Sequence, residues 1–107
     1  MIAVIDGRRY NTDTAEEVGR EANGHFRSDF NFETTALYRT PNGRWFQHGE
    51  GGATSYYAQR DGNSWCWGEK ITAVDDATAQ AFLEDLAARG DDAAVIALEK
   101  YFTVKEA

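Results

Sequence analysis

His48 and Glu50 stand two residues apart in the run Arg44-Trp-Phe-Gln-His-Gly-Glu-Gly-Gly52. In an extended strand, residues i and i+2 share a face, so imidazole and carboxylate could meet there as a general base and its partner. Trp45 and Tyr57 would flank such a site. A bare His-x-Glu has low specificity, however, and no serine or cysteine nucleophile with a defined motif stands beside it in sequence. Ser55 and Cys66 would have to be brought in by folding. The structural alternative is that His48 ends a strand and donates hydrogen bonds to the glycine-rich connection after it. No catalytic residue is assigned on this evidence, and the expectation is a non-enzymatic protein.

Metal and phosphate chemistry fare no better. His25 and His48 are the only histidines and Cys66 the only thiol. No CxxC, HxxxH or EF-hand spacing occurs, so neither metal nor cofactor is expected. Gly49-x-Gly51-Gly52 lacks the lysine of a P-loop and the third glycine of a dinucleotide turn, and Glu50 would repel a phosphate. Those glycines are better explained by conformation, allowing positive φ or a close approach of another backbone. Trp65-Cys66-Trp67 would put two indoles on one strand face and the thiol on the other. With Trp45, Phe46, Tyr56 and Tyr57 they read mainly as core, with an indole or two reaching a hydrogen-bond acceptor, an exposed aromatic patch for a partner being the lesser alternative. Arg8-Arg9 is too small a basic spot for a nucleic-acid patch.

The elements that must position these residues are legible in outline. Ile2 to Asp6 reads as a strand, and Gly7 as a turn. Thr14-Ala-Glu-Glu17 matches a capping box, Ala15, Val18 and Ala22 fall on one helical face, and Asn23-Gly24 supplies a stop. A helix is therefore expected from about residue 13 to 23. Residues 30–40 and 44–48 form a hairpin about the turn Thr40-Pro-Asn-Gly43. Residues 53–64 are loop or a short helical turn, and Trp65 to Val74 is a strand interrupted by Gly68. Asp75 or Asp76 caps a helix with Ala79, Phe82, Leu83 and Leu86 inward, and Gly90 ends it. Asp91 or Asp92 caps a last helix with Val95, Leu98 and Phe102 inward. The expected fold is α+β, one domain over 1–107, an antiparallel sheet of three to four strands with one N-terminal and two C-terminal helices.

Composition limits the partners. Hydrophobic residues make up 42% and aromatics 13% of 107 residues, too rich for a disordered chain and enough for one modest core. There is no apolar run of membrane-spanning length and no signal peptide, and a single cysteine suits a reducing compartment, so a cytoplasmic protein without a membrane partner is expected. Eighteen acidic against eleven basic residues give a net charge of -7. Such a surface repels nucleic acid and favours basic protein surfaces, including those that ordinarily hold nucleic acid. Residues 75–107 carry eight of the acids and three bases. The expected acidic face is accordingly Asp75, Asp76, Glu84, Asp85, Asp91, Asp92 and Glu99.

The segments Arg9-Tyr10-Asn-Thr-x-Thr-Ala15 and Thr35-x-Leu-Tyr-Arg-Thr-x-x-Gly-x-Trp-Phe-x-His-Gly-Glu-Gly-Gly52, with Ser55-x-Tyr57 after them, carry a resemblance that covers nearly the whole chain. It resembles a family of small bacterial and phage proteins of mobile elements to which no catalytic role is assigned. Small acidic proteins in that setting include inhibitors of host defence, anti-CRISPR proteins among them. The resemblance thus implies an inhibitor that binds a basic protein or ribonucleoprotein surface, such as the positive channel of a CRISPR effector, with carboxylates standing in for phosphates. A small enzyme or ligand-binding domain at His48 and Glu50, or a purely structural adaptor, are the rival expectations. Oligomeric state is open at this level.

Overall fold

In the computed structural model, which describes residues 1–107, the chain begins as a hairpin of β1 (Ile2–Ile5) and β2 (Arg8–Asn11). Ile5 pairs with Arg8, so the loop is only Asp6-Gly7, at φ 51° and 75°. Two positive φ values define a type I′ connection, whose twist matches that of the strands and which Asp-Gly tolerates at little cost.

The helix expected over residues 13 to 23 is a strand. β3 (Glu16–Ala22) pairs antiparallel with β4 (Glu33–Arg39), and Thr14 belongs to a turn, its amide bonded to the Asn11 carbonyl at 3.3 Å. Ala15, Val18 and Ala22 make too thin an apolar stripe to hold a helix down, and Gly19 costs about 1 kcal/mol in a helix interior. As a strand the segment hydrogen-bonds the edge of β4. The register shifts between Glu17 and Gly19, so Val18 and Gly19 both turn toward the helices. A Cβ on Gly19 would lie 3.0 Å from a Leu86 methyl and 3.2 Å from one of Leu83.

The hairpin of β4 and β5 (Trp45–Gly51) forms as expected about Thr40–Gly43, with Gly43 at φ 81° and its amide bonded to the Thr40 carbonyl at 2.9 Å. β5 continues three residues beyond His48. β8 (Gly68–Val74) lies on its other side, giving an all-antiparallel sheet of order β3-β4-β5-β8. The single strand expected from Trp65 to Val74 is instead broken at Trp67. β7 (Ser64–Cys66) leaves the sheet to pair with β6 (Gln59–Asp61) in a separate ribbon. At the break, a side chain on Gly68 would overlap the Tyr57 carbonyl.

Two helices cover one face of the sheet: α1 (Asp76–Ala88), capped by Asp75, and α2 (Asp92–Tyr101), capped by Asp91. Ala79, Leu83 and Leu86 from α1 and Ala94, Ala97 and Leu98 from α2 close over Leu37 and Trp45. Phe82 packs at the margin as expected, but Val95 is 40% exposed. It lies one position off the stripe formed by Ala94, Ala97, Leu98 and Tyr101. Trp45 stacks on Phe102 at 5.6 Å and meets Tyr101 edge-on at 5.4 Å. On the opposite face the β1–β2 hairpin lays Tyr10 against Phe46 and Ile71. No helix is long and apolar enough to cross a membrane.

Between these layers the glycines of β5 have a specific use. Tyr57 lies flat on Gly49, where any Cβ would collide with its ring, and its hydroxyl bonds Thr35 Oγ1 at 2.6 Å. Gly51 receives Ser55, and Gly52 receives the carbonyls of Asp29 and Phe30, 2.6 and 2.5 Å from where a Cβ would stand. None of these glycines has positive φ, and of the two expected uses close approach is what they permit, of a side chain at Gly49 and of backbone at Gly51 and Gly52. Gly49→Ala should therefore cost roughly 1–3 kcal/mol in urea unfolding, the usual range for overpacking. Asp91→Ala, which removes the acceptor for the Ala93 and Ala94 amides, should cost about 1 kcal/mol.

Candidate functional site

Alternation along β5 splits the residues that the sequence grouped together. Trp45, Gln47, Gly49 and Gly51 face the helix side, while Phe46, His48 and Glu50 face the other. Trp45 is 3% exposed within the core, and Tyr57 lies on Gly49, across the sheet from His48. His48 and Glu50 do share a face, and Glu69 joins them because the register sets it directly opposite Glu50. His48 does not end the strand or serve the glycine-rich loop. Its Nε2 lies 3.2 Å from Glu69 Oε2. Sequence reasoning missed Glu69, since only strand register links positions 50 and 69.

Ligand atoms of His48, Glu50 and Glu69 lie within 4.8 Å of one another. One imidazole and two carboxylates are donors suited to a divalent transition metal. Each carboxylate already has a partner, though. Arg27 Nη1 bonds Glu50 Oε1 at 3.0 Å while its guanidinium lies 4.8 Å from the Trp67 ring, which stacks on Phe32 at 5.7 Å. Farther along the same face Arg20 bonds Glu17 at 2.5 Å and reaches Thr34 Oγ1 at 3.3 Å. The Tyr38 hydroxyl donates to Glu17 at 3.3 Å. The result is a charge-paired polar surface.

The arrangement also lacks a nucleophile. Ser55 Oγ donates to the Gly52 carbonyl at 2.8 Å on the helix side, and Cys66 Sγ donates to the Gln59 carbonyl at 3.3 Å in the β6–β7 ribbon. Neither meets His48, so the imidazole has nothing to activate within the chain.

The acidic face on the helices is also partly consumed. Asp75 accepts from the Thr78 amide at 2.8 Å, and that residue's donors hold its carboxyl below the ordinary value. Asp91 caps α2. Asp85 is paired with Arg89, which also reaches Glu21 at 3.1 Å. Asp76, Glu84, Asp92 and Glu99 make no ion pair or side-chain hydrogen bond. Asp76 and Asp92 sit in the first turns, where the helix dipole favours an anion.

The most distinctive surface lies at the end of the molecule where β5 runs out. Phe30, Tyr56 and Trp65 are 70, 79 and 58% exposed there, and Phe26, on the same loop as Phe30, is 86% exposed, although Tyr56 and Trp65 were expected mainly in the core. The break at Trp67 takes the ribbon off the sheet and leaves the Trp65 indole uncovered. Trp65 and Ala53 are common to two adjoining grooves of about 390 Å3 each, one bordered by Tyr56 and the other by Phe30, Arg27 and Trp67. Around the corner, Glu21 and Glu33 line a third groove with Tyr57 and Arg89.

The Glu17–Arg20 pair has a definite sign with pH. Hydrogen bonding from Arg20 lowers the Glu17 carboxyl below its ordinary 4.5 and raises Arg20. Burial, and then the Glu17 charge, raise Tyr38. A carboxyl lowered in the folded state stabilises above its unfolded value and loses that contribution as pH falls through the folded one. Glu17 is 43% exposed, so screening limits the pair to about 1 kcal/mol or less. Glu17→Gln should lower stability at pH 7 by that amount and flatten the loss of stability below pH 4.5, as read from urea midpoints across pH.

The chain matches no protein-family model, no curated protein and no solved structure; its candidate surface is defined by its own chemistry, four exposed aromatics beside a charge-paired sheet face.

Proposed function

We propose that this protein is a non-enzymatic binding protein that inhibits a larger nucleic-acid-handling assembly by covering a basic protein or ribonucleoprotein surface, a CRISPR effector channel being the example implied by the sequence resemblance. The observation that carries the reading is the exposure of Phe30, Tyr56 and Trp65 along two adjoining grooves at one end, with Phe26 exposed on the same loop as Phe30. Large aromatics cost free energy in water, and they supply most of the affinity where they enter a partner's pockets. A net charge of -7 supplies steering toward a basic partner.

The acidic contribution is revised by position. Asp75 and Asp91 serve as helix caps, so substituting them weakens the fold before it weakens binding. Arg89 already holds Glu21 and Asp85, so Glu33, beside the aromatic end, and Glu84 on α1 are the carboxylates left to face a partner there. In this reading the aromatics hold the partner and the carboxylates select it.

Tagged protein is incubated with host lysate, washed at low and at high salt, and bound proteins and nucleic acids are identified, beside a Phe30→Ser/Trp65→Ser variant. The expected outcome is a nucleic-acid-handling assembly released by salt and recovered about tenfold less with the variant. Both substituted residues are largely exposed, so melting temperature should not change. Equal recovery by the variant would remove the aromatic anchor from the proposal, and recovery insensitive to salt would remove the electrostatic part.

A further inference from the structure

Five of the eight arginines are engaged within the chain. Arg20 pairs with Glu17, Arg27 with Glu50, and Arg89 with Asp85 and Glu21. Arg39 lies over both Trp45 and Tyr101, 5.5 and 4.6 Å from their ring centroids, and Arg60 donates to the Gly62 carbonyl at 2.9 Å. Arg8, Arg9 and Arg44 make no ion pair, side-chain hydrogen bond or aromatic contact. All three line one cavity of about 350 Å3, at the end of the molecule away from the aromatic cluster.

The rest of that lining is neutral and mostly polar: Tyr10, Asn11, Thr14, Thr40, Pro41 and Asn42. No carboxylate lines it, in a chain with eighteen acids. Asp75 and Asp76 border the adjoining groove, which shares Tyr10, Asn42 and Arg44 with this one. Asp75 is occupied with Thr78, and neither aspartate pairs with Arg44. Three like charges around one concavity repel each other, and an anion placed among them relieves the repulsion. At physiological ionic strength the screening length is roughly 8 Å, so the potential inside the cavity is set by nearby charges, the three arginines that line it against Asp75 and Asp76 next door.

We propose that this cavity binds a compact phosphate-bearing ligand, the phosphoryl oxygens taken by Arg8, Arg9 and Arg44. Guanidinium matches phosphate bidentately, which makes arginine the fitting donor for that group. Asn11, Asn42, Thr14 and Thr40 supply neutral hydrogen-bonding groups for a hydroxylated ligand body. Tyr10 is 5% exposed and offers no free ring face on which a base could stack, so the ligand chemistry is a small phosphomonoester or diphosphate rather than a single-stranded nucleic acid. The cavity is built by β2 and the β4–β5 turn and is independent of the aromatic surface.

The test is a titration with pyrophosphate, inorganic phosphate and, as a control anion, acetate at low ionic strength, followed by amide NMR shifts and calorimetry. Saturable binding of pyrophosphate with shifts at Asn11, Thr14 and residues 40–44 is expected, stronger than with phosphate and absent with acetate. The Arg8→Gln/Arg9→Gln/Arg44→Gln variant should lose at least about tenfold in affinity. The exposed single substitution Arg44→Gln, with a smaller loss, serves if the triple variant does not fold. No saturation by pyrophosphate, equal shifts with acetate, or unchanged affinity in the folded variant would overturn the proposal.

Discussion

Tyr57 lies on the bare backbone of Gly49, and much of the structure follows from that contact. Its ring occupies the space that a Cβ would take, and its hydroxyl reaches Thr35 on the neighbouring strand. The Tyr57 carbonyl in turn fills the space above Gly68. One loop is thereby held against both β5 and β8. Bringing it this close requires three strand positions without side chains: Gly49, Gly51 and Gly68. The same crowding ends the sheet at Gly68, sends β7 away into its own ribbon, and leaves Trp65 exposed where a continuous strand would have continued the pattern of alternation.

Because glycines occupy one face of β5, its chemistry lies entirely on the other. His48 and Glu50 look away from the helices toward Glu69, Arg27, Arg20 and Glu17, and the charges there are matched locally. Like carboxylates placed directly across an antiparallel pair destabilise a sheet unless cations attend them. Arg27 provides that cation for Glu50 while resting on Trp67, and so ties the polar face to the aromatic end. On the far side of the sheet the acids have a different use, with Asp75 and Asp91 satisfying amides at the helix starts. The excess negative charge is thus divided among caps, ion pairs and the few carboxylates left free for a partner.

Two surfaces stay unsatisfied when these internal pairings are complete. One is aromatic, where Phe26, Phe30, Tyr56 and Trp65 remain in water. The other is cationic, where Arg8, Arg9 and Arg44 line one cavity that no carboxylate borders. They lie beyond opposite ends of β5, a seven-residue strand roughly 20 Å long, farther apart than the screening length of charges in water. The chain therefore carries two separate surfaces of different chemistry, one aromatic and one cationic.

Local signals carried the sequence reading where a residue's own backbone preference decides the structure. The Asp-Gly and Thr-Pro-Asn-Gly turns, the aspartate caps, the α1 stripe and the Gly90 stop depend only on neighbours in the chain, and all are present. The capping-box reading of Thr14–Glu17 failed because helix and strand compete there through tertiary contacts, and the open edge of β4 together with Leu83 and Leu86 pressing on Gly19 favours the strand. That His48 and Glu50 share a face follows from the two-residue period of a strand and could be read directly. That Glu69 joins them, that Trp45 and Tyr57 do not, and that Arg8, Arg9 and Arg44 meet around one cavity depends on register and on packing between distant segments. These are long-range properties, and no local spacing in the chain encodes them.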